Sequence, residues 1–235
     1  DEQVNAHNSY PGNLPAALER DKLRQLGDAI ERHLGVRPRC YKAGRYGLGP
    51  HTYATLEQLG YEVDLSPSPP YDFSADGGPD YSRADARPFW FGAQRRLLGV
   101  PNTGAFVGWA AGASRRLWRL AARPLAQRCR LAGVFSRLGV VERLRLSPEG
   151  FELPDLIRLT RFLLRRSQRV FVLSYHSSSL QPGCTQYVRT LAERDAFLRT
   201  IDGYLHFFLR DLGGIPMTPL EWRAELLATA QDSTP

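Results

Sequence analysis

Arg39-Cys40-Tyr41-Lys42-Ala43, Gly44-Arg45-Tyr46-Gly47-Leu48-Gly49 and Tyr61-Glu62-Val63-Asp64-Leu65 are the segments whose reading decides the fold. The first reads as a short strand, the second as a glycine-rich loop and the third as the next strand. Between them Pro50 opens a helix carrying Tyr53, Leu56 and Leu59, which Gly60 terminates. Two strands joined by one helix form a βαβ unit, whose crossover implies a parallel sheet with a right-handed connection.

Working outward, residues 14–34 read as a helix. Asn13 is placed to cap it, Pro15 sits in its first turn, Leu23, Leu26, Ile30 and Leu34 recur at helical spacing, and Gly35 stops it. Residues 66–92 form a long irregular excursion rich in Asp, Gly and Pro. Tyr71, Phe73, Tyr81, Phe89, Trp90 and Phe91 are threaded through it, which marks a binding face rather than a linker. A strand is expected within 95–101, and one or two arginine-rich helices broken at Pro124 within 113–138. The last third alternates again: a helix from Pro154 to Arg166, a buried parallel strand at Val170–Tyr175, a loop from His176 to Gly183 and a long helix over 191–212. In that helix Phe197, Ile201, Leu205, Phe208 and Leu212 are expected to face inward, with Gly213 as its stop. Ile215–Met217 reads as a final strand and Pro219 opens a terminal helix. The fold class is α/β, and a barrel or partial barrel suits it.

The chain has 235 residues, 43% hydrophobic and 23% charged, the balance of a folded domain and not of a disordered one. No apolar run reaches the roughly 18 residues of a membrane span. Cys40, Cys129 and Cys184 are odd in number and widely spaced, which fits a reducing, cytoplasmic compartment better than a disulfide framework. The chain opens on Asp1 without a signal segment, so it reads as a piece of something longer. Of the net charge of +7, residues 115–169 carry 14 Arg against Glu142, Glu149, Glu152 and Asp155. A block of that kind can attract a polyanion, but it lacks interleaved aromatics or any zinc-finger or helix-turn-helix spacing, so a solvated surface is the better reading and no nucleic-acid partner is expected.

In parallel α/β folds, ligand sites gather at the carboxyl ends of strands. Lys42, followed by Arg45 and Tyr46, stands at one such end, Asp64 at the next and His176 after the Val170–Tyr175 run. Each also has a plain structural reading, as a loop cap or a hydrogen-bonded surface group; their coincidence on one face argues for function. The glycine pattern is G-x-x-G-x-G rather than G-x-G-x-x-G, so it serves a tight turn and not a dinucleotide. His7, His33, His51 and His206 have no ligand spacing from which a closed metal site could be read.

The ordered series Gly35-Val36-Arg37-Pro38-Arg39-Cys40-Tyr41-Lys42-Ala43-Gly44-Arg45-Tyr46, then Leu59-Gly60-Tyr61-Glu62-Val63-Asp64, then Leu173-Ser174-Tyr175-His176, resembles the polysaccharide deacetylase superfamily. This is the NodB-homology group, carbohydrate esterase family four, and its bacterial WalW-like branch is nearest. The resemblance implies one domain over 1–235, a distorted or incomplete (β/α) barrel lacking its first strands, with 93–150 as a family-specific insertion. It implies a hydrolase that removes the N-acetyl group of an amino sugar in a polysaccharide or surface-glycan precursor, using a divalent metal, usually zinc. His176 then matches the late general acid. Lys42 stands where the family has an arginine, and a lysine there gives up the bidentate geometry. Arg45 and Tyr46 fall in the loop whose backbone N–H groups help form the oxyanion hole, and Asp64 matches a supporting acid. The family's main metal-binding segment has no match within 1–235; its ligands are expected before Asp1, with His7 as a leftover candidate. The rival expectation is a degenerate barrel that binds glycan without turnover, using the aromatic excursion as its platform. Neither reading specifies an oligomeric state.

Overall fold

A computed structural model of the chain describes residues 3–93, 96–113, 117 and 138–232. Its helices are α1 (Ala16–Leu34), α2 (Thr52–Gln58), α3 (Leu153–Leu164), α4 (Leu191–His206) and α5 (Pro219–Asp232). Its strands are β1 (Cys40–Tyr41), β2 (Val63–Asp64), β3 (Phe89–Phe91), β4 (Leu97–Gly99), β5 (Gly104–Val107) and β6 (Glu142–Arg145). These elements divide into two compact units, residues 1–101 with 216–235, and residues 102–215. The arginine-rich helices expected over 113–138 lie outside the described residues almost entirely, as does much of the 93–150 insertion.

The first unit contains the expected βαβ crossover. β1 pairs parallel with β2, Cys40 opposite Val63 and Tyr41 opposite Asp64. β2 pairs parallel with β4, Asp64 opposite Gly99, and β3 closes the order β1-β2-β4-β3 antiparallel to β4. Because the registers align, the carboxyl ends of β1, β2 and β4 finish level with one another. Leu23, Tyr41, Ala43, Leu56, Tyr61 and Leu97 form the core beneath. The inward stripe of α1 is Glu19, Leu23 and Gly27, at spacing four, whereas Leu26 and Leu34 are exposed. This corrects the expected apolar face, which counted leucines and passed over a buried glutamate. Asn13 does not cap α1 either. Two short 3₁₀ turns, His7–Ser9 and Pro11–Asn13, precede the helix, so Pro15 takes the cap position and the Asn13 amide bonds the carbonyls of His7 and Gly77 instead.

In the second unit β5 and β6 pair antiparallel, with Gly104 opposite Arg145 and Val107 opposite Glu142. Glu152 and Asp155 form a reciprocal cap at the start of α3, and Thr190 with Glu193 does the same for α4. Leu144, Leu146, Leu156, Leu159, Phe162, Leu163, Tyr204 and Phe207 make the core. The expected strand at Val170–Tyr175 is not a ladder strand. Its amides go to scattered acceptors, Val172 to the Thr103 hydroxyl and Ser174 to the Leu146 carbonyl, and the run is only half-buried. Ile215–Met217 likewise forms no strand and lies exposed. The inward face of α4 is Phe197 and Tyr204, continued by Phe207; Leu205 and Leu212, expected inside, are exposed. The π-helical turn Phe207–Asp211 at the end of α4 adds a residue to the repeat and shifts the phase of the following side chains.

Among the described residues neither sheet closes on itself, so the arrangement is mixed α/β and not a closed barrel. No helix among them is long and apolar enough to cross a membrane.

Candidate functional site

In the first unit the chain leaves β1 through Lys42 and turns at once. Gly44–Tyr46 is a single 3₁₀ turn in which Arg45 and Tyr46 both adopt positive φ, 54° and 60°. A non-glycine residue rarely adopts that conformation, and two in succession mark a loop shaped by its surroundings. Those surroundings are specific. The Arg45 guanidinium lies 4.3 Å from the centroid of the buried Tyr10 ring, bonds the Ser9 hydroxyl and pairs with Asp76 at 3.6 Å. The Tyr46 ring stacks on Phe73 at 5.5 Å, Phe73 stacks on Tyr71 at 6.1 Å, and the Lys42 ammonium stands 5.7 Å from the Tyr46 ring. The Tyr81 hydroxyl donates to the Tyr46 carbonyl at 2.6 Å. Tyr71, Phe73 and Tyr81 of the excursion are therefore structural partners of the turn.

The glycines of this loop act as the pattern suggested. The Gly47 amide closes the turn onto the Gly44 carbonyl, and the Gly47 carbonyl accepts from the Gly12 amide at 2.8 Å. The Tyr46 N–H is taken by the Ala43 carbonyl at 3.0 Å. The amides that the turn itself leaves over are those of Gly44 and Arg45, at its start.

Asp64, paired across from Tyr41, is fully buried. Its Oδ1 accepts from the Ser66 amide at 2.9 Å and from the Ser66 hydroxyl, while the same hydroxyl oxygen accepts from the Ala43 amide at 2.8 Å. Asp64 thus fixes the base of the 42–46 turn through one serine. Burial pushes its carboxyl up from 3.8 to about 6, against the opposing pull of the Ser66 bonds and of Lys42. The folded chain holds this proton between 3.8 and about 6, where the unfolded chain has released it. The contribution of Asp64 to stability is therefore complete below the lower value and lost as pH rises through the upper one. Asp64→Asn is expected to remove about 3 kcal/mol of that pH-dependent loss. Urea midpoints of variant and wild type across this window measure it; identical slopes would contradict the assignment.

In the second unit His176 follows the Val170–Tyr175 run, and its neighbour Tyr175 packs edge-on against Phe197 at 5.5 Å. Its partner is Glu149, in the turn after β6. Nδ1 of His176 lies 2.8 Å from Glu149 Oε2, and the His176 amide donates to Oε1 at 2.9 Å. The Ser179 hydroxyl donates to the same Oε1 and meets Thr185 Oγ1 at 3.1 Å. The imidazole is 67% exposed while the Glu149 side chain is 8% exposed, so a buried carboxylate holds an accessible ring. A carboxylate on Nδ1 fixes the tautomer and leaves Nε2 for proton exchange with a ligand. Sequence reasoning missed Glu149 and Ser179. Glu149 is 27 residues from its partner and carried no signal beyond its charge.

His7 is exposed, with Asn13 against its ring nitrogen at 3.4 Å and its carbonyl bonded by the same amide. Among the described residues no group of three or more His, Cys, Asp or Glu could hold a metal ion. In sequence and structure comparisons, no family model, no curated protein and no solved structure matches the chain.

Proposed function

We propose that this chain carries the acid and loop machinery of a carbohydrate N-deacetylase, a hydrolase that releases acetate from an N-acetylated amino sugar. The supporting observation is the accessible His176 imidazole held at Nδ1 by the buried Glu149 carboxylate. Amide hydrolysis needs water to add to the acetyl carbon, the C–N bond to break and the departing nitrogen to gain a proton. An imidazolium supplies that proton from Nε2 and keeps its Nδ1 proton on Glu149, which offsets the ring charge while it lasts. His176 is the catalytic acid in this reading and Glu149 its positioning residue. In the first unit, taken by itself, the Gly44 and Arg45 amides stand on a turn fixed in advance by Tyr10, Ser66 and Tyr81, the preorganisation that a pair of anion-binding donors needs. Lys42 adds positive charge beside it, and Asp64 supports it from below.

The sheet of the first unit, with its parallel βαβ crossover, would be a part of an incomplete (β/α) barrel of the polysaccharide deacetylase type. The divalent metal that the resemblance implies finds no ligand set among the described residues, and no step is assigned to it. A second reading is a module that binds glycan without turnover.

Acetate release from oligomers of N-acetylglucosamine by the full-length protein separates the two. Turnover is the expected result; saturable binding with no acetate would leave the binding module. Within the first reading, Glu149→Gln is expected to lower kcat while KM stays in place, because the ring loses its orientation and not its contact with substrate. A rise in KM with kcat intact would assign Glu149 to substrate binding.

A further inference from the structure

The carboxyl end of the first unit's sheet holds a feature that these roles leave unused. It is a groove of about 430 Å³ lined by Tyr53, Pro67, Tyr81, Asp85, Arg87 and Phe89. Pro67 follows the end of β2, and Phe89 pairs with Gly99, the last residue of β4. The groove therefore lies where open parallel sheets take their ligands, outside the carboxyl ends of the strands. Its walls are rings fixed by other rings: Tyr53 lies 4.0 Å from Phe91, and Phe91 lies 5.7 Å from Phe89. The Tyr81 ring lines the groove while its hydroxyl bonds the Tyr46 carbonyl. A ligand here would rest on the same tyrosine that braces the 42–46 turn.

The charged side chains of the lining are Asp85 and Arg87, which form an ion pair. Arg87 reaches Asp85 Oδ2 with Nε at 3.0 Å and with Nη2 at 2.7 Å, and the two side chains are 75% and 56% exposed. An exposed pair of this kind contributes little to stability, so its donors and acceptor can turn to a ligand at small cost. A lone arginine would recruit a phosphate or a carboxylate. Asp85 cancels that charge and adds an acceptor beside the donors, which suits a ligand with neutral hydroxyls. Flat rings and planar, bidentate polar groups in the lining of one groove match the two sides of a pyranose: a C–H face to stack and adjacent hydroxyls to bond.

We infer that this groove is a saccharide subsite, taking one uncharged pyranose of a glycan against Tyr53 and Phe89, with Asp85 and Arg87 on its hydroxyls. The inference rests on the carbohydrate reading above and names where the sugar chain lies. The test is calorimetric titration of the full-length protein with the tetramer of N-acetylglucosamine, in parallel with acetate release from the same tetramer. Arg87→Ala and Asp85→Asn are each expected to weaken binding about tenfold, the loss of one hydrogen bond to a charged group. Both should leave the melting temperature unchanged, since both side chains are exposed. Phe89→Leu, which keeps apolar bulk but removes the stacking face, is expected to weaken it further. Absent binding, or equal affinity in the wild type and all three variants, overturns the subsite. Binding with this dependence but no acetate sinks the hydrolase and leaves the subsite standing. Acetate release with an unmoved KM in Arg87→Ala does the reverse.

Discussion

His176→Ala is expected to cut the rate of acetate release by about 10²- to 10⁴-fold, the range that a well-placed general acid supplies. The loss arises at the leaving group. An amine expelled without a proton is a strong base, and the barrier to C–N cleavage rises accordingly. The side chain is exposed, so its removal leaves no cavity, and the backbone amide of residue 176 still reaches Glu149. The variant should therefore melt with the wild type. A substrate whose leaving group needs no proton, such as an activated aryl acetate, should lose far less rate in the same variant, which separates the loss of an acid from general damage. Unchanged turnover on the glycan would remove the assignment.

Gly49→Ala is expected to have the largest effect on stability, a loss of roughly 3 kcal/mol or more. Gly12 and Gly49 pack backbone to backbone. A Cβ at Gly49 would stand 1.9 Å from the Gly12 carbonyl oxygen, and one at Gly12 would stand 2.0 Å from the Gly49 nitrogen. Neither neighbour is a flexible side-chain tip, so relief requires the two chain segments to separate. Separation breaks the Gly12-to-Gly47 hydrogen bond and withdraws Tyr10 from beneath the Arg45 guanidinium. The substitution should therefore lower the urea midpoint and also speed amide exchange at Gly12. An unchanged midpoint with native exchange would show that this contact does not hold the turn. Gly60→Ala offers a contrast: the site has open space, and only its φ of 78° opposes the new side chain.

What could be read in the sequence follows from where its signals are local. Pro50 and Gly60 bracket α2, and Gly35 and Gly213 end their segments in left-handed conformations, as their lack of a Cβ permits. The order strand, helix, strand then fixed a parallel pairing, and with it the neighbourhood of Lys42 and Asp64. The failures are of another kind. An apolar run such as Val170–Tyr175 states that the segment needs cover, not that a neighbour offers a ladder; here Thr103 and Leu146 take its amides singly. Hydrophobic counting along α1 passed over Glu19, which is buried because the Thr52 hydroxyl donates to it. Glu149 was illegible for the same reason: its role exists only once the fold brings it to His176. In the sequence Tyr81 is one ring among several in the excursion. Its hydroxyl bond to the Tyr46 carbonyl, which links the groove to the turn, depends on a contact 35 residues apart.

The central claim is tested most directly by incubating the full-length protein, with zinc added, with oligomers of N-acetylglucosamine and measuring free acetate and new primary amine together. The account predicts that both rise in equal amounts, and that the His176→Ala protein produces little of either. Neither product from the wild-type protein, while the oligomers bind, would contradict it.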